Sequence, residues 1–228
     1  SPQLILKEES MQETTSRGTT KMTKKKLKVL VACEFSGTVR QAFNSLGDHI
    51  DAWSCDLLPT DVEGPHIQGD VLEILNNQDW DLIIAHPPCT FLTVSNAKNW
   101  SALQANGKQQ AAIDFVEAIY FSDCPHICVE NPVGALSTKS RLGKATQYIQ
   151  PYEFGHPEQK KTGLWLKGLP KLKGTKFIDV SGLPKKEVQR LHYLGPSKDR
   201  WKLRSTTYKG IAEAMATQFS DYLLSLAN

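Results

Sequence analysis

The chain is expected to fold as a doubly wound α/β domain around a mostly parallel sheet, and three observations predict this. Apolar, β-branched runs of strand length recur along the first 132 residues, and stretches of helical spacing alternate with them. Within the runs hydrophobicity is continuous rather than alternating, as in strands covered on both faces. The polar clusters fall just after those runs, where open α/β sheets bind their ligands.

Each element follows from its own residues. "LKVLVACE" opens the ordered chain near Leu27 as a strand, and "FSGTVRQAFNSLG" turns to helical spacing with Val39, Ala42, Phe43 and Leu46 on one face. "HIDAWSCD" predicts a second strand ending in an acid, "GDVLEIL" a short helix, "WDLIIAH" a third strand and "HICVENP" a fourth. Between the last two, "SALQANGKQQAAIDFVEAIYF" predicts one amphipathic crossover helix. Beyond Pro132 the pattern loosens. "TGLWLKG" predicts a strand, residues 169–205 form a segment rich in Lys, Pro and Gly, and "TTYKGIAEAMATQFSDYLLSLA" predicts a closing amphipathic helix. Residues 1–26 carry too little apolar area to offset the entropy of ordering and read as a tail, leaving residues 27–228 as one domain.

No stretch approaches the ~18 consecutive apolar residues of a membrane span, and the N-terminus lacks the order of a secretory signal. A soluble, cytoplasmic monomer without a membrane partner is expected. The five cysteines are odd in number and mostly sit in apolar runs, which suits reduced thiols and no disulfide framework. No metal site is expected. The net charge of +3 hides an asymmetry: residues 159–209 hold fourteen of the 27 Lys or Arg and three of the 24 Asp or Glu. Such a stretch fits a phosphate-backbone partner, or a solvated lysine-rich surface.

Four clusters stand at the strand ends: Glu34, Phe35, Ser36 and Gly37; Asp56; His86, Pro87, Pro88 and Cys89; and Glu130, Asn131 and Pro132. Gly37 lets the backbone approach a ligand, and the helix beyond it is expected to offer free N–H groups. Asp56, about twenty residues on, is placed to grip ribose hydroxyls, or to cap a turn. Asp70 reads equally as a cofactor contact and as a helix N-cap. Pro87 and Pro88 stiffen the backbone entering Cys89. If a turn follows, its N–H groups would lower the thiol pKa; the other reading of Cys89 is a buried structural cysteine. Glu130, flanked by apolar residues, is expected to be desolvated and to hold a proton near neutral pH, or else to cap a helix or pair with a lysine. A thiolate beside a carboxyl suits attack on carbon 6 of a pyrimidine, with the charge that develops at ring nitrogen 3 met by a proton or hydrogen bond.

Together these residues resemble the cytosine carbon-5 DNA methyltransferases. The matching motifs are "FSG", Asp56, "GDV", "PPC", "VENP" and, further on, "YEFGHPEQKKTGLWLKG", in the family's order from about Leu27 to the C-terminus. The resemblance implies a Rossmann-like methyltransferase fold, an S-adenosylmethionine cofactor, and double-stranded DNA whose target base is extruded from the helix. It implies Cys89 as the nucleophile, Glu130 on nitrogen 3 and the amino group, and Asn131 as a brace for the loop. It also implies Phe35, Ser36, Gly37, Asp56, Asp70 and Pro87 around the donor, with Pro88, Gln159, Lys161 and Arg204 toward the substrate, Lys161 being shared with catalysis. The sequence departs from the pattern at Thr90, where the family has glutamine, at Val39 and Arg40 in place of glycines, and at Gly163 in place of the second arginine of the basic motif. Only about forty residues stand where a large target-recognition domain is usual, which is similar to small phage-type members acting in a bacterial host cell. Trp201 and Arg204 are expected to help the basic segment grip nucleic acid with little sequence readout. Other readings are the same mechanism with a carboxylated donor, an amino-methyltransferase, or a non-catalytic nucleic-acid-binding module.

Overall fold

The computed structural model describes residues 25–228, with a short antiparallel pairing of Glu13–Thr14 and Thr20–Lys21 before them. The expected tail, residues 1–26, falls mostly outside the described residues. The main sheet has seven strands: β1 (Leu27–Ala32), β2 (Ile50–Asp56), β3 (His66–Gln68), β4 (Leu82–Ala85), β5 (Ile127–Pro132), β6 (Gln147–Ile149) and β7 (Thr162–Lys167). Their spatial order is β3-β2-β1-β4-β5-β7-β6. The first five are parallel, and β7 enters antiparallel between β5 and β6. This is an α/β sheet of the Rossmann-like, mostly parallel kind, with its order reversing beside β1.

Strand periodicity splits the core into two layers. Val29 and Val31 of β1, Leu82 and Ile84 of β4 and Leu164 of β7 face helices α1 (Thr38–Asn44) and α8 (Lys209–Leu226), through Val39, Phe43, Met215 and Phe219. Leu30, Ala32, Ile83, Ala85 and Trp165 point the other way, onto α2 (Val71–Ile74) and α4 (Lys108–Tyr120), through Val71, Ile113, Val116 and Ile119. Helices on both faces account for the unbroken apolar runs in the strands.

The expected single crossover helix is two. Helix α3 (Trp100–Ala105) ends at Asn106, and Gly107 at φ 77° starts α4 on a new axis. A left-handed glycine ends helices readily because it has no Cβ to clash. Helices α5 (Leu136–Lys139), α6 (Lys185–Val188) and α7 (Arg200–Ser205) are short. Among the described residues no helix is long and apolar enough to cross a membrane.

Candidate active site

Strand register sets the site. Ala32 of β1 pairs with Cys55 of β2 and Ala85 of β4, and Ala85 pairs with Val129 of β5. The next residues of the four strands, Cys33, Asp56, His86 and Glu130, therefore stand in one row along the carboxyl edge. Ala85 and Val129 face α4, so alternation turns His86 and Glu130 to the α8 side. There His86 Nδ1 lies 2.6 Å from Glu130 Oε2, with the two side chains 9% and 18% exposed. Burial favours the neutral carboxyl, but the charge and hydrogen bond of His86, with Lys160 behind, win and hold Glu130 below the usual carboxylate range. Burial likewise works against the imidazolium, and Glu130 and Glu34 outweigh it and raise His86 above its ordinary value. This runs against the expectation of a proton resident on Glu130: the histidine partner favours the charged carboxylate.

The Cys89 turn is tied to β5 at two levels. Buried Asn131 donates from Nδ2 to the Pro87 carbonyl at 3.0 Å, bracing the prolines. Beyond Cys89, whose carbonyl accepts the N–H groups of Leu92 and Thr93, the loop pairs with the chain after β5: Ala135 N–H bonds Leu92 O at 2.7 Å and Val94 N–H bonds Val133 O at 3.0 Å. The approach is close enough that a Cβ on Gly134 would lie 1.9 Å from Leu92 O. A turn does follow Cys89, yet the thiol is not lowered: burial pushes it up, Lys160 pulls against that, and Glu130 adds to the rise. The groups acting on Cys89 by charge are thus Lys160 and Glu130.

Lys160 is a residue that motif matching missed. It lines a small pocket with Glu130, Thr162 and Thr207, and its Nζ donates to the Arg204 carbonyl at 2.5 Å. The expected cation, Lys161, instead sits over the Tyr148 ring, 4.7 Å from its centroid. Gln159 is turned toward α6, its N–H on Val188 O and its Oε1 facing Gln189 Nε2 at 3.5 Å. The Arg204 guanidinium is spent on the carbonyls of Leu191 and His192, and Trp201 packs on Phe35 with ring centroids 5.4 Å apart. Of the two side chains expected to reach outward, Arg204 thus ties the basic segment to itself and Trp201 ties it to the sheet edge.

On the donor side, Gly37 has φ 77°, and a Cβ there would stand 2.8 Å from Arg40 Nη2. Backbone shape and the buried arginine both call for glycine here. The α1 N-terminus is also filled from within, correcting the expectation of free N–H groups. Glu34 accepts from Val39 N at 2.9 Å and Arg40 N at 3.1 Å, and Ser36 Oγ accepts from Thr38 N at 3.3 Å. Arg40 itself is fully buried. It donates to Ser54 Oγ, Thr60 Oγ1 and the Val62 carbonyl, which folds the β2–β3 loop back over α1. Asp56 Oδ1 accepts from Leu58 N, and Asp70 caps α2 through Leu72 N, each at 2.9 Å. A second small pocket is lined by Cys33, Glu34, Phe35, Ser36, His86, Ser205 and Thr207. Cys33 is the non-glycine residue with positive φ (62°) among the described residues, a sparsely populated conformation that gathers at functional rims.

No protein-family model matches the chain, and no curated protein does. Thirty-five chains of solved structures match. One is the Entamoeba histolytica methyltransferase EhMeth, 14% identical with a TM-score of 0.45 over 68% of this chain and 58% of that one. This chain thus spans less than two thirds of that structure's length. The fold assignment above rests on strand order and register.

Proposed function

We propose that the chain is an S-adenosylmethionine-dependent DNA cytosine carbon-5 methyltransferase with Cys89 as its nucleophile. The observation that carries the reading is the tie between the Cys89 turn and β5, Asn131 to Pro87. It supports a thiol and the Glu130 carboxyl acting on one ring. Cys89 Sγ, as thiolate, adds to carbon 6. Glu130 stands against nitrogen 3 and the amino group, where a proton shared with the ring meets the charge that addition creates. Lys160 favours the thiolate by charge.

The donor side supports a nucleoside cofactor without phosphates. A pyrophosphate looks for free N–H groups at the first helix, and here Glu34 and Ser36 have taken them. Glu34, Asp56 and Asp70 make that rim acidic, which fits a sulfonium or ammonium and opposes a polyphosphate. When bound, the sulfonium would supply an electrophilic methyl group to carbon 5 and leave as a neutral thioether; loss of the carbon 5 proton to solvent then expels Cys89 from carbon 6. Asp56 would hold its ribose, with Phe35, Ser36 and Gly37 beside its methionine part. DNA would be gripped by residues 169–205 through phosphate contacts, so binding should weaken steeply with salt.

The test is nucleoside mass spectrometry of duplex DNA incubated with the enzyme and S-adenosylmethionine, together with trapping on 5-fluorocytosine DNA. The expected results are 5-methylcytosine, a denaturation-resistant protein–DNA adduct, and loss of both with Cys89→Ser. A Cys89→Ser variant that still methylates would favour amino-group transfer, which needs no nucleophile.

A further inference from the structure

We infer that His86 is a positioning residue for Glu130: it fixes Oε2 so that Oε1 is turned to the base, and its imidazolium balances the charge of the site before Cys89 attacks. The inference rests on the cytosine reading above. His86 lies just ahead of the two prolines, and the motifs assign it no part.

Geometry carries the case. Pairing of Ala85 with Val129 makes His86 and Glu130 neighbours on adjacent parallel strands, and a 2.6 Å contact between largely buried groups is a charge-assisted hydrogen bond. Nδ1 must be the donating nitrogen, since a carboxylate only accepts. Thr207 Oγ1, 3.5 Å from the same nitrogen, closes the other side. Nε2 is buried with no partner among the described residues. Glutamate paired this way has one oxygen committed and one available for a base edge.

The charges facing the pair make the second half of the inference. Glu34 comes from the β1–α1 turn, Glu130 from β5, Lys160 from the chain ahead of β7 and the Cys89 thiol from the loop after β4. With His86 protonated, its charge and that of Lys160 both act on the Glu130 carboxylate. With His86 neutral one of these two positive charges is lost, just where the pyrimidine must accept negative charge on addition of the thiolate. Deprotonating His86 therefore opposes the attack.

The sign gives a pH limb. His86 is raised above its ordinary 6.5 by Glu130 and Glu34, so its charge is present at low pH and is lost as pH rises through the raised value. Activity should carry an alkaline limb as His86 deprotonates. The experiment compares kcat and KM for methyl transfer to duplex DNA from pH 5.5 to 9.5 in the wild type and in His86→Gln, which keeps an N–H donor but does not titrate. The expected result is a kcat lower by roughly 10²-fold, a KM for DNA little changed, and no alkaline limb. A second measurement does not depend on turnover: the ¹⁵N resonances of His86 should titrate at a lower pH in Glu130→Gln than in the wild type. Adduct formation on 5-fluorocytosine DNA with a His86→Gln profile superimposable on the wild type would overturn the inference and leave the cytosine reading standing. No adduct and no modified nucleoside from the wild type would overturn both.

Discussion

Gly134→Ala puts the tie between the Cys89 turn and β5 to a direct test. An added Cβ would lie 1.9 Å from Leu92 O and 2.7 Å from Leu92 C, and both are backbone atoms that cannot swing aside. Real Cβ contacts essentially never fall under 3.0 Å, so the loop must retreat by about 1 Å, taking with it a turn whose Leu92 N–H bonds Cys89 O. A misplacement of about 1 Å at a reacting group costs on the order of 10²-fold in rate, or about 2.7 kcal/mol of barrier. Loss of the Ala135–Leu92 hydrogen bond adds about 1 kcal/mol of instability. Asp56 and Asp70 hang on other strand ends, so donor affinity should stay within about 2-fold. The assay pairs single-turnover methyl transfer with calorimetric titration of S-adenosylmethionine. Unchanged turnover would refute a nucleophile positioned from Val133, Gly134 and Ala135, and an equal fall in donor affinity would show that the two sites are not separately built.

Two further outcomes follow from buried and stacked side chains. Arg40→Met should lower stability by about 3 kcal/mol, because the Val62 carbonyl, Ser54 Oγ and Thr60 Oγ1 each lose a buried donor worth about 1 kcal/mol. For a domain of this size that is roughly 6–12 °C in Tm, readable by calorimetry. Trp201 packs on Phe35 at the donor side, so S-adenosylmethionine should shift tryptophan emission in the wild type and shift it far less in Trp201→Phe, with affinity changed by no more than about 10-fold. Equal shifts in both proteins would place the donor elsewhere.

The fold was legible where burial is two-sided. The runs containing β1, β4 and β5 are apolar at successive positions because helices cover both faces, and a pattern of that kind is local. Strands β3 and β6 were not legible: each has three residues, and "HIQ" and "QYI" carry no apolar run. The antiparallel entry of β7 between β5 and β6 is a pairing across distant sequence, which no window of residues contains. The break at Gly107 was open to view, yet the helical spacing continues across it and masked the turn.

In the site, the limits were of parity and of loop return. Whether Lys160 or Lys161 faces Glu130 depends on the phase in which the chain enters β7 opposite β5, Thr162 against Pro132 and Leu164 against Glu130. That phase is fixed by pairing and is invisible in "EQKKTG". His86 could have been found by extending strand alternation one residue past Ala85 and matching the run to "ICVE", which sets it beside Glu130. Arg40 reads as a surface arginine on a short helix, and only the return of residues 60–65 over α1 makes it core. Two of its acceptors, Val62 O and Pro65 O, are backbone carbonyls with no signature in the side-chain sequence.

Charge at the sheet edge is divided in a way that bears on the order of events. Glu34, Asp56, Asp61 and Asp70 lie on the β1–β2–β3 side, while the excess lysine and arginine follow β7. Helix α7 joins the two: it belongs to the basic segment, yet Trp201 and Lys202 pack on Phe35, and Lys202 Nζ lies 3.8 Å from Asp61 Oδ1. An exposed pair at that distance is worth at most about 1 kcal/mol and weakens with salt, so α7 is held chiefly by its aromatic contact. A phosphate drawing on Lys202 would compete with Asp61 and leave the Phe35–Trp201 stack in place. On the proposed reading, closure over the donor side rests on packing that nucleic acid does not disturb, and the acidic rim would keep the phosphate backbone away from the donor.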